Sequence, residues 1–197
     1  NTVFKLSLDG ALVDQAVKNP FSELMGEKSG QTAIDDVVKA IRRAKANDNI
    51  KGIYMEAGSI SGGFAGLEAI RRELVDFKES GKFIYSYSNL GYSQKSYYLA
   101  TVADKIFVNP ETPLLLTGMS SSISFYKETL AKLGIQPEVV KVGKFKSAVE
   151  PFISDEMSPA NREQVQKYLD SSWGTIVKGI AESRNIPVDS INALANR

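Results

Sequence analysis

Ile50-Lys51-Gly52-Ile53-Tyr54-Met55 runs through Gly58-Ser59-Ile60-Ser61-Gly62-Gly63-Phe64-Ala65-Gly66 into a segment where Leu67, Ile70, Leu74 and Phe77 recur at helical spacing. The first run, short and rich in β-formers, predicts a strand; the last predicts an amphipathic helix ending near Gly81. Between them the glycines predict a tight strand-to-helix turn, the place where backbone N–H groups can also meet an anion. A strand, a glycine turn and a helix make the repeating unit of an α/β fold, and the rest of the chain repeats it.

Outward on the N-terminal side, Val3 to Leu8 predicts a strand ending at a turn signal, Asp9-Gly10. Residues 11–31, with Asn19-Pro20, predict a long surface loop. Thr32 and Asp35 form a capping box for a helix carrying Ile34, Val37, Val38, Ile41 and Ala44. On the C-terminal side, Lys82 to Ser88 and Lys105 to Val108 predict strands around a helix through Tyr97, Tyr98 and Ala100. A helix is expected from about Ser124 to Leu133 and one more strand from Pro137 to Val142. Ser158-Pro159 reads as N-cap and first position of a helix with Val165, Leu169, Trp173, Ile176, Val177 and Ile180 on one face; a last helix follows Pro187. The expectation is one α/β domain over residues 1–197 with a largely parallel sheet, residues 153–197 being a helical extension.

Composition narrows the chemistry. The chain has 197 residues, 43% hydrophobic and 24% charged, the balance of a soluble globular protein. A net charge of +1 gives no reason to expect a nucleic-acid partner. With no cysteine and no histidine, thiol nucleophiles, the Ser-His-Asp arrangement and the commonest metal ligands are all excluded. No stretch approaches the roughly eighteen apolar residues of a membrane-spanning helix. The start at Asn1-Thr2 without a methionine, and the stop inside a helical pattern at Arg197, read as those of a fragment.

Three segments carry candidate chemistry. The glycine segment at 58–66 lacks the lysine and spacing of a phosphate-binding loop, so a tight turn is its simpler reading. Ser86, Ser88, Ser93 and Ser96 crowd a strand-to-helix junction, but no histidine is present to take a hydroxyl proton, and capping with half-buried packing is the favoured reading. The third segment, Lys141-Val142-Gly143-Lys144-Phe145-Lys146-Ser147-Ala148-Val149-Glu150-Pro151, holds three lysines. Lys141 and Lys144 sit among turn and strand-edge residues as ordinary surface charges. Lys146, between Phe145 and Ser147-Ala148-Val149, has a small and apolar setting that can partly desolvate an amine, as a lysine base requires. A solvated charge is the commoner fate of lysine.

Gly143 to Phe152, followed by Asp155-Glu156-Met157-Ser158-Pro159, resembles the signal peptide peptidase A (protease IV) family in its long, two-domain form. Asp9-Gly10 with Val13-Asp14-Gln15, Ile50-Lys51-Gly52-Ile53, and Tyr97-Tyr98-Leu99-Ala100 with Ala103-Asp104-Lys105-Ile106 extend the likeness along the whole chain. The resemblance implies a crotonase/caseinolytic-protease-like fold of repeated β-β-α units. It implies a serine/lysine dyad endopeptidase that degrades cleaved signal peptides, without cofactor or metal. In that family form the N-terminal domain supplies the general-base lysine, which falls on Lys146, and the C-terminal domain supplies the serine. The implied partners are signal-peptide or other peptide substrates, the C-terminal domain of the same protein and further copies in a homo-oligomer. The implied location is the periplasmic side of the bacterial inner membrane, through an N-terminal anchor absent from this chain.

Departures from the family pattern separate the two roles. Where the serine-bearing domain has its nucleophile before a Gly-Gly pair, this chain has Gln94 before Lys95-Ser96, with Ser93 one residue away. Ala57-Gly58-Ser59 replaces the expected Pro-Gly-Gly of the oxyanion loop, and Met119 occupies a place where the active domain carries a serine. The chain is therefore expected to donate a base and to complete no dyad alone. The alternatives are a non-catalytic oligomerisation or peptide-binding module of crotonase-like fold, and a crotonase-like acyl-CoA enzyme, which coenzyme A binding would reveal.

Overall fold

Alternation of apolar and polar residues writes the strands, because successive side chains of a strand point to opposite faces. The computed structural model describes residues 1–15, 31–140, 143 and 146–196. Strand β1 (Thr2–Val13) buries Leu6, Leu8 and Leu12, β3 (Ile50–Ser61) buries Ile53, Met55 and Ala57, and β4 (Phe83–Ser88) buries Ile84, Ser86 and Ser88. With β2 (Gln31–Ala33) and β5 (Lys105–Val108) they form one five-stranded sheet in the order β2-β1-β3-β4-β5, every pairing parallel. The α/β class with a parallel sheet is thus as the sequence predicts.

The described helices are α1 (Ile34–Ala46), α2 (Phe64–Lys78), α3 (Gln94–Ala100), α4 (Lys127–Lys132), α5 (Glu150–Ile153), α6 (Pro159–Arg184) and α7 (Val188–Ala195). The chain divides into two compact units, Asn1–Thr117 with Val177–Arg197, and Gly118–Ile176.

The first unit holds the sheet. Its core joins the buried strand face to Val37, Ile41 and Ala44 of α1 and to Leu67, Ile70, Leu74 and Phe77 of α2, the last four fully buried as their spacing predicts. Two ion pairs tie α1 to α2, Arg42 with Glu73 and Lys45 with Asp76 at 2.7 Å. The other strand face carries half-exposed Tyr54, Glu56, Phe83, Tyr85 and Tyr87. There Gly52 lies in register with Phe83, and a Cβ at Gly52 would stand 2.6 Å from the ring, so only glycine leaves room for it.

Several local expectations are corrected in this unit. Asp9-Gly10 is no turn: β1 continues through it with a register shift between Leu8 and Gly10, and Gly10 adopts φ 77°, the geometry of a bulge. Residues 11–13, expected in a loop, are strand; most of the remainder of that loop lies outside the described residues. Thr32 caps no helix. It belongs to β2 and its hydroxyl donates to the Asp9 carbonyl at 3.2 Å, while Asp35 pairs with Lys39 at 2.9 Å. The segment after Met55 remains strand as far as Ser61, held in register by β1, which leaves Gly62-Gly63 as the turn into α2.

The second unit is helical and irregular. Its α4 is shorter than expected, and Pro137–Val140 forms no strand, with Val140 98% exposed. Among the described residues no strand pairs with this run, and strand propensity is realised only in a sheet. Lys141, Val142, Lys144 and Phe145 lie outside the described residues. Ser158 does open α6, its Oγ accepting from the Asn161 N–H at 3.2 Å.

Candidate functional site

The three candidate segments separate once their backbone groups are followed. In the glycine segment, β3 pairs Ile60 and Ser61 with Gly10 and Ala11, so these residues are engaged in the sheet rather than in an open loop. The Ser59 N–H, where the resemblance would put an oxyanion donor, is taken by the Asp9 carboxylate at 2.9 Å, and a Cβ on Gly58 would stand 2.6 Å from the same oxygen. The segment therefore presents an occupied donor. Sequence reasoning assigned Asp9 to a turn and missed this contact, which only the bulge in β1 creates.

A cleft of roughly 650 Å³ runs along β1, β3 and the end of β4, beside Lys5, Ser7, Asp9, Glu56, Tyr87 and Leu90. Carboxyl ends of parallel strands are the usual place for a ligand in an open sheet. Its charges are matched internally: Lys5 pairs with Glu56 at 2.9 Å, Ser7 donates to Glu56 at 3.4 Å, and Asp9 holds Ser59. Among the described residues no group of three or more acidic side chains is placed to hold a metal ion.

The serines of the junction make contacts that hold local structure. Ser93 is the N-cap of α3, its Oγ accepting from the Ser96 N–H at 3.2 Å and lying 3.0 Å from the buried Ser96 hydroxyl. Ser88 donates to the Gly91 carbonyl at 2.5 Å, and Ser86 shares a hydrogen bond with the Tyr92 hydroxyl at 3.0 Å. Burial pushes that phenol above its usual range. Lys95, where a glycine is expected in the serine-bearing domain, donates to the Gly62 carbonyl at 2.7 Å and lies 5.4 Å from the Phe64 ring centroid. No base stands beside Ser93 among these contacts.

Lys146 lies in the second unit as N-cap of a 3₁₀ turn, Ser147–Val149, which leads directly into α5. It is exposed, as is Ala148, while Ser147 and Val149 are half-buried. The desolvation expected from these neighbours is therefore not supplied by the described residues. What is buried is Glu150, four residues on, only 4% exposed. Its carboxyl group accepts from the Ser158 Oγ at 2.6 Å, the Ser158 N–H at 3.2 Å and Asn161 Nδ2 at 2.9 Å. The sequence motif held the signal for this contact, a glutamate eight residues ahead of Ser158-Pro159, but helical periodicity does not detect it. Met119 is half-buried in an irregular stretch of the same unit.

A model of peptidase family S49 matches residues 76–197, the span that contains Lys146 and Glu150. The chain is 35% identical over 193 residues to Protease 4 of Haemophilus influenzae, covering 94% of this chain and 31% of that protein. It is 33% identical to Protease 4 of Salmonella typhi, over 92% of this chain and 31% of that one. Identity to a putative signal peptide peptidase SppA of Enterococcus faecium is 27%, over 98% of this chain and 54% of that one. The chain thus spans about a third of the length of the two Protease 4 relatives. With most of its length under the family model, this chain belongs to peptidase family S49.

Proposed function

We propose that this chain is the base-donating, N-terminal part of a serine/lysine dyad endopeptidase that degrades cleaved signal peptides. The nucleophilic serine comes from a C-terminal domain of the same protein, outside this chain. The observation that carries the reading is the division of contacts: Ser93 is committed to capping α3, whereas Lys146 is exposed at the head of a turn. Names borne by the relatives, Protease 4 and signal peptide peptidase, support the substrate class.

In the assembled enzyme, the Lys146 amine is screened from water by the second domain and takes the serine proton as the oxygen attacks a peptide carbonyl. The serine oxygen–carbon bond forms, the oxyanion is held by backbone N–H groups, and the scissile C–N bond then breaks. Lysinium returns the proton to the leaving amine, and the same amine activates water to release the acyl group. The fold reading that goes with this is a crotonase-like one of repeated β-β-α units, with residues 1–197 as one α/β domain and 153–197 as its helical extension. The working form is a homo-oligomer on the periplasmic face of the inner membrane, attached by an anchor outside this chain.

Lys146→Ala in the full-length protein is expected to lower peptide hydrolysis by at least about a thousand-fold, within the range of a lost general base, with circular dichroism unchanged. Turnover at the wild-type rate would reject Lys146 as the base. It would favour a second reading, a non-catalytic oligomerisation or peptide-binding module, with which the exposure of Lys146 also agrees.

A further inference from the structure

We propose that Glu150 is the positioning residue for Lys146, acting through the 3₁₀ turn between them; this deepens the reading of Lys146 as the base and rests on it. Burial of a carboxyl group is costly unless hydrogen-bond donors meet it. Among the described residues three donors at the start of α6 meet Glu150: the Ser158 hydroxyl, the Ser158 N–H and the Asn161 amide. Ser158 is at once the cap of α6, so the carboxyl group is fixed to a helix of 26 residues at its N-terminus, where negative charge is also favoured.

The backbone of the same residue holds the other end. The Glu150 N–H donates to the Ser147 carbonyl and closes the turn that Lys146 begins, while its carbonyl accepts from Ser154 at 2.9 Å and that of Pro151 accepts from Tyr126 at 2.7 Å. An exposed lysine has four rotatable bonds and no neighbour in these contacts to orient it. Its reach is therefore set by where its Cα is held. An apolar side chain at 150 would fill the same space without directional contacts, whereas three donors fix the turn in one register against α6. Displacement of a reacting group by about 1 Å can cost roughly a hundred-fold in rate.

The test uses the full-length protein and a chromogenic peptide substrate, assayed well below every melting midpoint. Glu150→Gln keeps the shape but places an amide N–H against donors; kcat is expected to fall about ten- to a hundred-fold with KM unchanged. Leu169→Ala, a truncation on the same helix, serves as the stability control and is expected to lower the midpoint while keeping kcat. Unchanged kcat in Glu150→Gln, or equal losses of kcat in both variants, would overturn the proposal. If Glu150→Gln does not fold, Asn161→Ala, which removes one donor of the three, is judged by the same criteria. Lys146→Ala measured alongside keeps the two readings apart: activity in that variant defeats the base assignment, whatever Glu150 does.

Discussion

Ser93 and Lys146 show how differently two candidate residues fare when their contacts are followed. A serine hydroxyl at a helix N-cap is held in place by the N–H it accepts from, and Ser93 is so held by Ser96. Its removal should be felt as lost capping, about 1 kcal/mol of stability, and not as lost chemistry. Ser93→Ala in the full-length protein is accordingly expected to lower the thermal midpoint slightly and to leave kcat within about two-fold, because a helix cap contributes stability rather than chemistry. Loss of all turnover in that variant, with the fold intact by circular dichroism, would return Ser93 to the active site. Neighbouring sequence made Ser93 a candidate; the structure shows it as a helix cap, and no periodicity argument distinguishes a capping serine from a reactive one.

At the scale of elements, the first unit is secured by side chains that bridge helices. Arg71 of α2 is 6% exposed and its guanidinium donates to the Tyr98 carbonyl, to the Thr101 hydroxyl at 2.9 Å, to the Gly179 carbonyl at 2.7 Å and to the Ser183 hydroxyl at 2.6 Å. It also lies 4.4 Å from the Tyr98 ring centroid, and burial together with the Glu68 contact pushes that phenol above its ordinary range. Arg71→Met strands several buried acceptors at once and should cost roughly 2–4 kcal/mol, read by denaturant unfolding; a loss below 0.5 kcal/mol would show that water replaces the guanidinium, since surface-like substitutions fall in that range. The Arg42–Glu73 pair makes a pH-dependent prediction. Its hydrogen bonds, foremost that from Arg42, hold the Glu73 carboxyl below its ordinary value of 4.5. A lowered folded value means the contribution is present above about pH 4.5 and lost as pH falls through the folded value. The stability gap between wild type and Arg42→Met should therefore close on acidification; a gap constant from pH 7 to pH 3 would refute the linkage. Periodicity made α1, α2, β3 and β4 legible from sequence, since each buries a regular stripe. It failed at Asp9-Gly10 and at Pro137–Val140 because a bulge needs a partner strand to show itself, and a strand needs one to exist. For the site, the motif marked Lys146 as the candidate base, but the hold of Ser158 and Asn161 on Glu150 depends on tertiary contact and left no periodic trace.

For the whole molecule, the question is what this chain can do by itself. It covers about a third of the length of its Protease 4 relatives, whose other two-thirds lie beyond the match. Within the chain, the candidate serine is occupied in a cap, the Ser59 N–H is taken by Asp9, and the candidate base is exposed to water. An acyl transfer needs a deprotonated nucleophile, an oxyanion donor and a base with its amine neutral, together and away from solvent. None of the three is completed by the described contacts. The purified chain is therefore expected to give no hydrolysis of signal-peptide substrates above the uncatalysed rate, and no labelling by a serine-directed fluorophosphonate. Full-length protein should do both, and Lys146→Ala in that protein should retain its fold while losing hydrolysis. Turnover by the isolated chain that disappears in Ser93→Ala would place a whole dyad within these 197 residues and reverse the assignment of the serine to another domain.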